Sequence, residues 1–383
     1  MNNERPTICF ATMCKNEEHC ILQTLESVYR HINYWVVCDT GSTDRTTELV
    51  KTFFDEKGIP GELYVDDWVG FDHNKSLMME RAVNHSDYIM HLDADDVLVG
   101  DFLFKEEEMG FDSYYMTVKR GGSEWKALIL FNGNKVWRFC GVAHTTIIVI
   151  GQNGFSIGDL SDRNFYVLGE GVGSRSFDPK KYFYDAEKLQ KQFFDTLIDD
   201  PYNLNNRSVF YTAQSYMDCG MWKESLMWNR LYTKLKNTWI EEEFEARMRI
   251  SRCLMMLNEN QEKIRSEMEV AINMFPDRAE PLYSLGSYFN NIGDFEKGHY
   301  YLSQAKTKNI NEIKEKYILF VDATAYGKNV NYLLSLSCMN TKRYFEGYKL
   351  LVELLYDDNY KYMIESVKNL LNEFELKLSN ING

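Results

Sequence analysis

Between residues 7 and 92 the chain alternates short apolar runs with amphipathic stretches, and this alternation limits the fold more than any other feature. TICFAT (7–12), YWVVC (34–38), ELYVD (62–66) and residues 87–92 are apolar runs of strand length. After the first run, Ile21, Leu22, Leu25, Val28 and Ile32 recur at helical spacing, with Asn16 placed to cap that helix. Asp39-Thr-Gly-Ser42 reads as a turn. Ser42 or Thr43 can then cap a second helix carrying Leu49, Val50, Phe53 and Phe54, closed by Gly58. Residues 74–84 predict a third helix. This βαβαβαβ order predicts a parallel sheet covered on both faces, with ligands at the carboxyl ends of its strands. Asp39 and the carboxylates at 93–96 fall at two such ends. Beyond residue 110 the pattern turns strand-rich: YYMTV, KALILF and TTIIVI.

From about residue 182 the pattern is helical and weakly repetitive. Residues 279–306 carry Leu285, Gly286, Phe289, Gly293, Phe295 and Ala305; residues 207–232 carry Ala213, Tyr216, Gly220 and Trp222 at matching offsets. The spacing resembles the tetratricopeptide helix pair, with further degenerate pairs over 242–275 and 329–356. The predicted division is an α/β domain over 1–180 and a helical-repeat domain over 181–383. Stacked helix pairs of this kind bind partners or self-associate, so the chemistry is expected in the first domain.

Length and charge narrow the function. At 383 residues and 44% hydrophobic, two domains can each bury a core. A net charge of −14 argues against a nucleic-acid binder, whose phosphate contacts need clustered Lys and Arg. No secretory signal and no membrane-spanning run are read. Eight scattered cysteines without a CxxC pair are expected to be buried small hydrophobes in a reducing, cytoplasmic setting.

The stretch YIMHLDADDVL (88–98) puts three carboxylates within four residues. Period two sets Asp93 and Asp95 on one side, while Asp96 is expected to cap the turn. Two carboxylates suit Mg²⁺ or Mn²⁺ completed by substrate phosphate oxygens. An EF-hand loop from Asp93 fails, because Leu98 and Phe104 stand where Gly and Glu are required. A haloacid-dehalogenase-type phosphatase shares the DADDVL pattern, with Asp159 and Asp162 as a loose second acidic pair. That motif normally ends the first strand, whereas three βα units precede it here.

The ordered set TMCKNEE (12–18), VVCDTGSTDRT (36–46) and HLDADD (91–96) resembles glycosyltransferase family 2, of the GT-A nucleotide-sugar-binding fold. DHNKSLMM (72–79), WRFCGVAHTTI (137–147), GSRSFDPKKY (173–182) and VFYTAQSYMDCG (209–220) resemble a subgroup found in bacteria and large DNA viruses with a tetratricopeptide-like tail. The resemblance implies a metal-dependent, inverting transfer of sugar from a UDP-type donor to a hydroxyl of a glycan or protein acceptor. For a viral chain the setting would be host cytoplasm.

It also implies roles. Thr12, Glu17 and Asp39 would line the nucleoside pocket, Lys75 and Arg138 would reach the nucleotide, and Asp93, Asp95 and His144 would hold Mn²⁺ or Mg²⁺. Asp93 would also contact the donor, and Arg175 the leaving group, from a Gly169–Gly173 lid. The subgroup's Glu after the histidine is Thr145 here, which leaves Asp159, Asp162 and Glu124 as positional candidates for the base. That departure keeps a non-catalytic scaffold as an alternative beside the phosphatase.

Overall fold

The computed structural model describes residues 5–121, 123–161 and 163–380. It divides into two compact units, Met1–Met221 and Trp222–Gly383.

The first unit opens with β1 (Ile8–Cys14), α1 (Ile21–Val28), β2 (Tyr34–Asp39), α2 (Thr46–Lys57), β3 (Gly61–Val65), α3 (Phe71–Ala82) and β4 (Tyr88–His91). These strands pair in parallel in the order β3-β2-β1-β4. Side chains alternate between faces, as period two demands. Ile8, Phe10 and Val37 enter a core with α1 and α2, while Cys9, Ala11, Val36 and Cys38 enter a second core with Met78, Met79 and Ala82 of α3. The strand order reverses between β1 and β4, and the crevice at their carboxyl ends is the switch point where ligands bind in open α/β sheets.

The sheet continues through β5 (Asp96–Gly100), β6 (Ser113–Arg120), β7 (Ser123–Asn132) and, later, β10 (Ile157–Asp159) and β11 (Phe165–Gly169). β7 runs antiparallel to β4 and to β6, and β11 antiparallel to β5, so the sheet is mixed beyond its parallel first half. β8 (Trp137–Cys140) and β9 (Thr146–Val149) form a separate hairpin. Two helices complete the unit, α4 (Lys181–Asp195) and α5 (Leu204–Asp218).

Side-chain bonds explain why α4 and α5 group with the sheet although the strands end before Lys181. Gln192 of α4 accepts from the Val142 amide at 2.8 Å and donates to Ser208 of α5 at 2.7 Å. Arg207 of α5 donates to the His144 carbonyl at 2.7 Å.

Two expected caps are corrected. Asn16 does not cap α1; its backbone is left-handed (φ 57°), and its side chain accepts from Thr43 N–H at 2.7 Å. α2 is served by Asp44 rather than by Ser42 or Thr43: Asp44 Oδ1 accepts from Thr46 N–H at 3.0 Å. Asn16 thus spends its side chain on the other loop instead of on the nearest helix.

The second unit is helical: α6 (Trp222–Tyr232), α7 (Ile240–Met256), α8 (Gln261–Met274), α9 (Glu280–Asn291), α10 (Phe295–Lys306), α11 (Ile310–Lys316), α12 (Asn331–Asn340), α13 (Tyr344–Leu355) and α14 (Ile364–Ser379). Glycines sit where helices cross closely. A Cβ on Gly286 would strike Leu302, and one on Gly347 would strike Phe374 and Cys338. Arg278 is only 1% exposed, yet Glu280 at 2.8 Å and the carbonyls of Leu319 and Phe320 satisfy it. Among the described residues no helix is long and apolar enough to cross a membrane. All eight cysteines are free thiols, and every one but Cys219 is buried.

Candidate functional site

Two loops at the carboxyl ends of β1 and β2 are locked together. Asn16 N–H donates to Ser42 Oγ at 2.8 Å, and Glu17 N–H to Thr46 Oγ1 at 2.8 Å. Asp39, 1% exposed, organises the second loop: its Oδ2 accepts from the Gly41 and Ser42 amides at 3.0 and 2.8 Å, and its Oδ1 accepts from the Ser42 hydroxyl. The carboxylate expected to face a nucleobase is thus occupied by its own turn. Thr12 is fully buried on β1, and its Oγ1 has no hydrogen-bond partner among the described residues.

The acidic loop lies at the end of β4. Lys75, carried by α3, meets Asp93 Oδ1 at 2.9 Å, and this cation holds the Asp93 carboxyl at about 2. Asp96 turns back, accepting from Asp93 N–H at 3.2 Å through Oδ2. Burial first, then the charges of Asp93 and Asp95, push the Asp96 carboxyl up to about 8. His91 is buried; its Nδ1 lies 3.0 Å from the Ala11 carbonyl, which requires Nδ1–H to donate. Its Nε2 then faces outward, 4.0 Å from Asp93 Oδ1. Burial and Lys75 lower this imidazole to about 4, so it is neutral at pH 7.

Residues 170–174 pass over this loop as a strap. Gly173 N–H donates to Asp95 Oδ2 at 2.8 Å, and Ser174 N–H and Oγ donate to the Glu17 carboxylate. His19 Nε2 meets the Val172 carbonyl at 2.8 Å, and Gln23 donates to Glu170 at 3.0 Å. Beneath lies a cavity of about 430 Å³, a size suited to a small organic ligand. Glu17, Lys75, Asp93, Asp95 and Arg175 line it, together with Trp68 and Phe71, whose rings meet at 4.9 Å. Arg175 lies over Phe71 at 4.8 Å and pairs with buried Asp185 of α4.

The cavity brings together five of the twelve residues singled out from sequence. Thr12 and Asp39 sit just behind it as structural supports. Arg138 projects to solvent from β8 and does not line it. His144 is not among the residues that line the cavity. It occupies a left-handed turn (φ 47°) after β8, and its ring stacks on Tyr211 of α5 at 4.1 Å. The imidazole beside Asp93 is His91. Asp159 is paired with Lys126 at 2.8 Å on β7, which keeps its carboxyl below the usual range despite partial burial. Neither Asp159 nor Glu124 lines the cavity, and Asp162 lies outside the described residues.

Sequence reading did not find Arg120, Lys181 and Lys188, which also line the cavity. Arg120 ends β6 and the lysines lie on α4, so only the tertiary fold gathers them.

The donor set fits a hard divalent cation. Asp93 Oδ2 and Asp95 Oδ1 have no partner among the described residues, and the Asp93 side chain is 60% exposed. Asp96, raised by burial first and then by the charges of Asp93 and Asp95, stands beside this pair. Asp93 and Asp95 would hold the ion, with His91 beside them; it would supply positive charge to a diphosphate leaving group.

A parallel β3-β2-β1-β4 core, a mixed extension and acidic residues at the end of β4 define the GT-A class of nucleotide-diphospho-sugar transferase folds. Residues 9–106 match the family described as Glycosyl transferase family 2. An uncharacterised glycosyltransferase of Rickettsia typhi is 24% identical over 210 residues, covering 53% of this chain and 65% of that protein. Among solved structures, S. aureus TarS 1–349 is 11% identical with a TM-score of 0.33, covering 81% of this chain and 92% of that one. TarS 1–349 has also been solved with UDP and with UDP-GlcNAc. MamA is 18% identical with a TM-score of 0.35, covering 49% of this chain and 91% of that one.

Proposed function

We propose that the protein is a metal-dependent glycosyltransferase that moves a sugar from a UDP-type donor to an acceptor hydroxyl with inversion. The observation that carries this reading is that Asp93, paired with Lys75, and Asp95 line one cavity at the β1/β4 switch point, inside the segment that matches the family. As the sugar–oxygen bond breaks, the diphosphate gains charge. Lys75 is placed to meet one of its oxygens on releasing Asp93, and Arg175 is placed to meet another. Asp39 and Asn16 hold the nucleoside-side loops in place. Trp68 and Phe71, meeting edge to face, offer an apolar wall for a sugar ring. The acceptor is a glycan or a protein, and the helical unit offers a partner-binding surface. Neither alternative reading draws support: Asp159 is tied to Lys126, far from any phosphatase role with Asp93, and a degenerate scaffold has no need of the charged cavity.

Thermal unfolding with UDP, with and without Mn²⁺, tests the reading. A UDP-dependent rise in Tm that is larger with Mn²⁺ is expected, and no shift with any nucleotide would sink it. Asp95→Asn should abolish the Mn²⁺ increment and lower transfer by at least about 100-fold, as loss of an electrostatic stabiliser of the transition state does. Its unfolding in the absence of ligand should change little.

A further inference from the structure

Four cations line the cavity with no carboxylate at ion-pair distance among the described residues: Lys15, Arg120, Lys181 and Lys188. In a chain of net charge −14, such a local excess is not a reflection of composition. Three of the four lie on β6 and α4, elements other than those carrying Lys75 and the acidic loop. Arg120 packs so tightly on Gly171, at the strap, that a Cβ there would strike its guanidinium. Lys180 and Lys181 stand at the amino end of α4, whose first turn holds no acidic residue. The helix dipole is positive at that end, where the Asp178 carboxylate accepts from Lys180 N–H at 2.9 Å. Burial first, then the charges of Arg175 and Arg120, lower the pKa of the Lys181 ammonium against the opposing pull of Asp185 and Asp95.

The donor does not account for this group. On the reading above, its diphosphate is met by the ion at Asp93 and Asp95, by Lys75 and by Arg175. Arg120, Lys181 and Lys188 are left over. We propose that these three residues form a second anion subsite, separate from that of the donor diphosphate, which takes a phosphate group carried by the acceptor. This inference rests on the glycosyltransferase reading and deepens it: the acceptor is a phosphorylated glycan or other phosphate-bearing molecule, not a neutral sugar. Lysines and an arginine from two elements can close around the several oxygens of such a group.

The test uses the full chain saturated with UDP and Mg²⁺ and follows Tm as inorganic phosphate is added, against chloride at equal ionic strength. A saturable phosphate increment on top of the UDP shift is expected. In the double variant Arg120→Gln/Lys188→Gln the UDP shift should persist while the phosphate increment disappears. Should that variant not fold, Lys188→Gln alone, at an exposed helix position, should weaken the phosphate midpoint about fivefold, as loss of roughly 1 kcal/mol implies. Phosphate stabilisation that UDP abolishes would assign the cations to the donor and overturn the proposal, as would an increment that survives in the variants. Failure of UDP itself to shift Tm is a separate outcome, and it refutes the donor reading.

Discussion

His91 and His144 show what a single residue's surroundings decide. His91 is the last residue of β4, locked by its Nδ1–H on Ala11, whereas His144 follows β8 and stacks on Tyr211. His91→Gln should therefore weaken Mn²⁺ binding, read from the metal concentration at half-maximal Tm shift, by about tenfold as for loss of a supporting group. His144→Ala should leave that midpoint unchanged; the reverse pattern would restore His144 as the ligand. Glu17 supplies a pH test. Burial, above all, raises its carboxyl above the ordinary value, so the folded chain keeps this proton to higher pH than the unfolded chain. Its contribution to stability is complete below about pH 4.3 and is lost as pH rises through the folded value. Tm should fall across that interval in the wild type and fall less in Glu17→Gln; equal slopes would exclude Glu17 as the cause. At this scale the sequence was informative where chemistry is local. Asp93 and Asp95 could be picked out because an apolar strand ends in them, but Arg120 and Lys188 could not, since nothing near them in sequence marks a cavity.

Elements follow the same logic. The parallel strands were legible because each is a buried run followed by a helix of helical period. β5, β10 and β11 were missed: β5 starts at the third carboxylate of the acidic loop, and β10 spans only three residues. Their strand form comes from pairing: β11 with β5 and β6, β10 with β6. In the helical unit, Gly286 and Gly347 are explained by close helix crossings, as the repeat pattern anticipated. Gly347→Ala would add a methyl against Phe374 and Cys338 and should cost about 1–3 kcal/mol through overpacking, measured by urea unfolding. A change within about 0.5 kcal/mol would mean that the helices move apart freely.

For the molecule as a whole, the change from mixed to helical structure and the boundary between compact units fall at different places. α4 and α5 look like the start of the repeat tail, yet they carry Lys181, Lys188 and Asp185 of the site and brace Val142 and the His144 carbonyl. A chain ending at Met221 should unfold cooperatively and keep the UDP-dependent rise in Tm. One ending at Lys180 should lose that rise, because Arg175 loses its partner and the cavity loses a wall. Equal behaviour of the two would place the site entirely on the strands.

The strap makes access to the acidic loop a competition. On the proposed reading, a cation that takes both oxygens of Asp95 would compete with Gly173 N–H for Oδ2, whereas Oδ1 stays open to it. A hydrogen bond to a charged group contributes about 1.5–3 kcal/mol, so ligand entry that frees this amide carries a toll of roughly ten- to 150-fold in apparent affinity. The same amide returns when the ligand leaves. On the glycosyltransferase reading, a ligand that displaces the strap meets a competitor within the chain, a backbone N–H that no side-chain mutation removes.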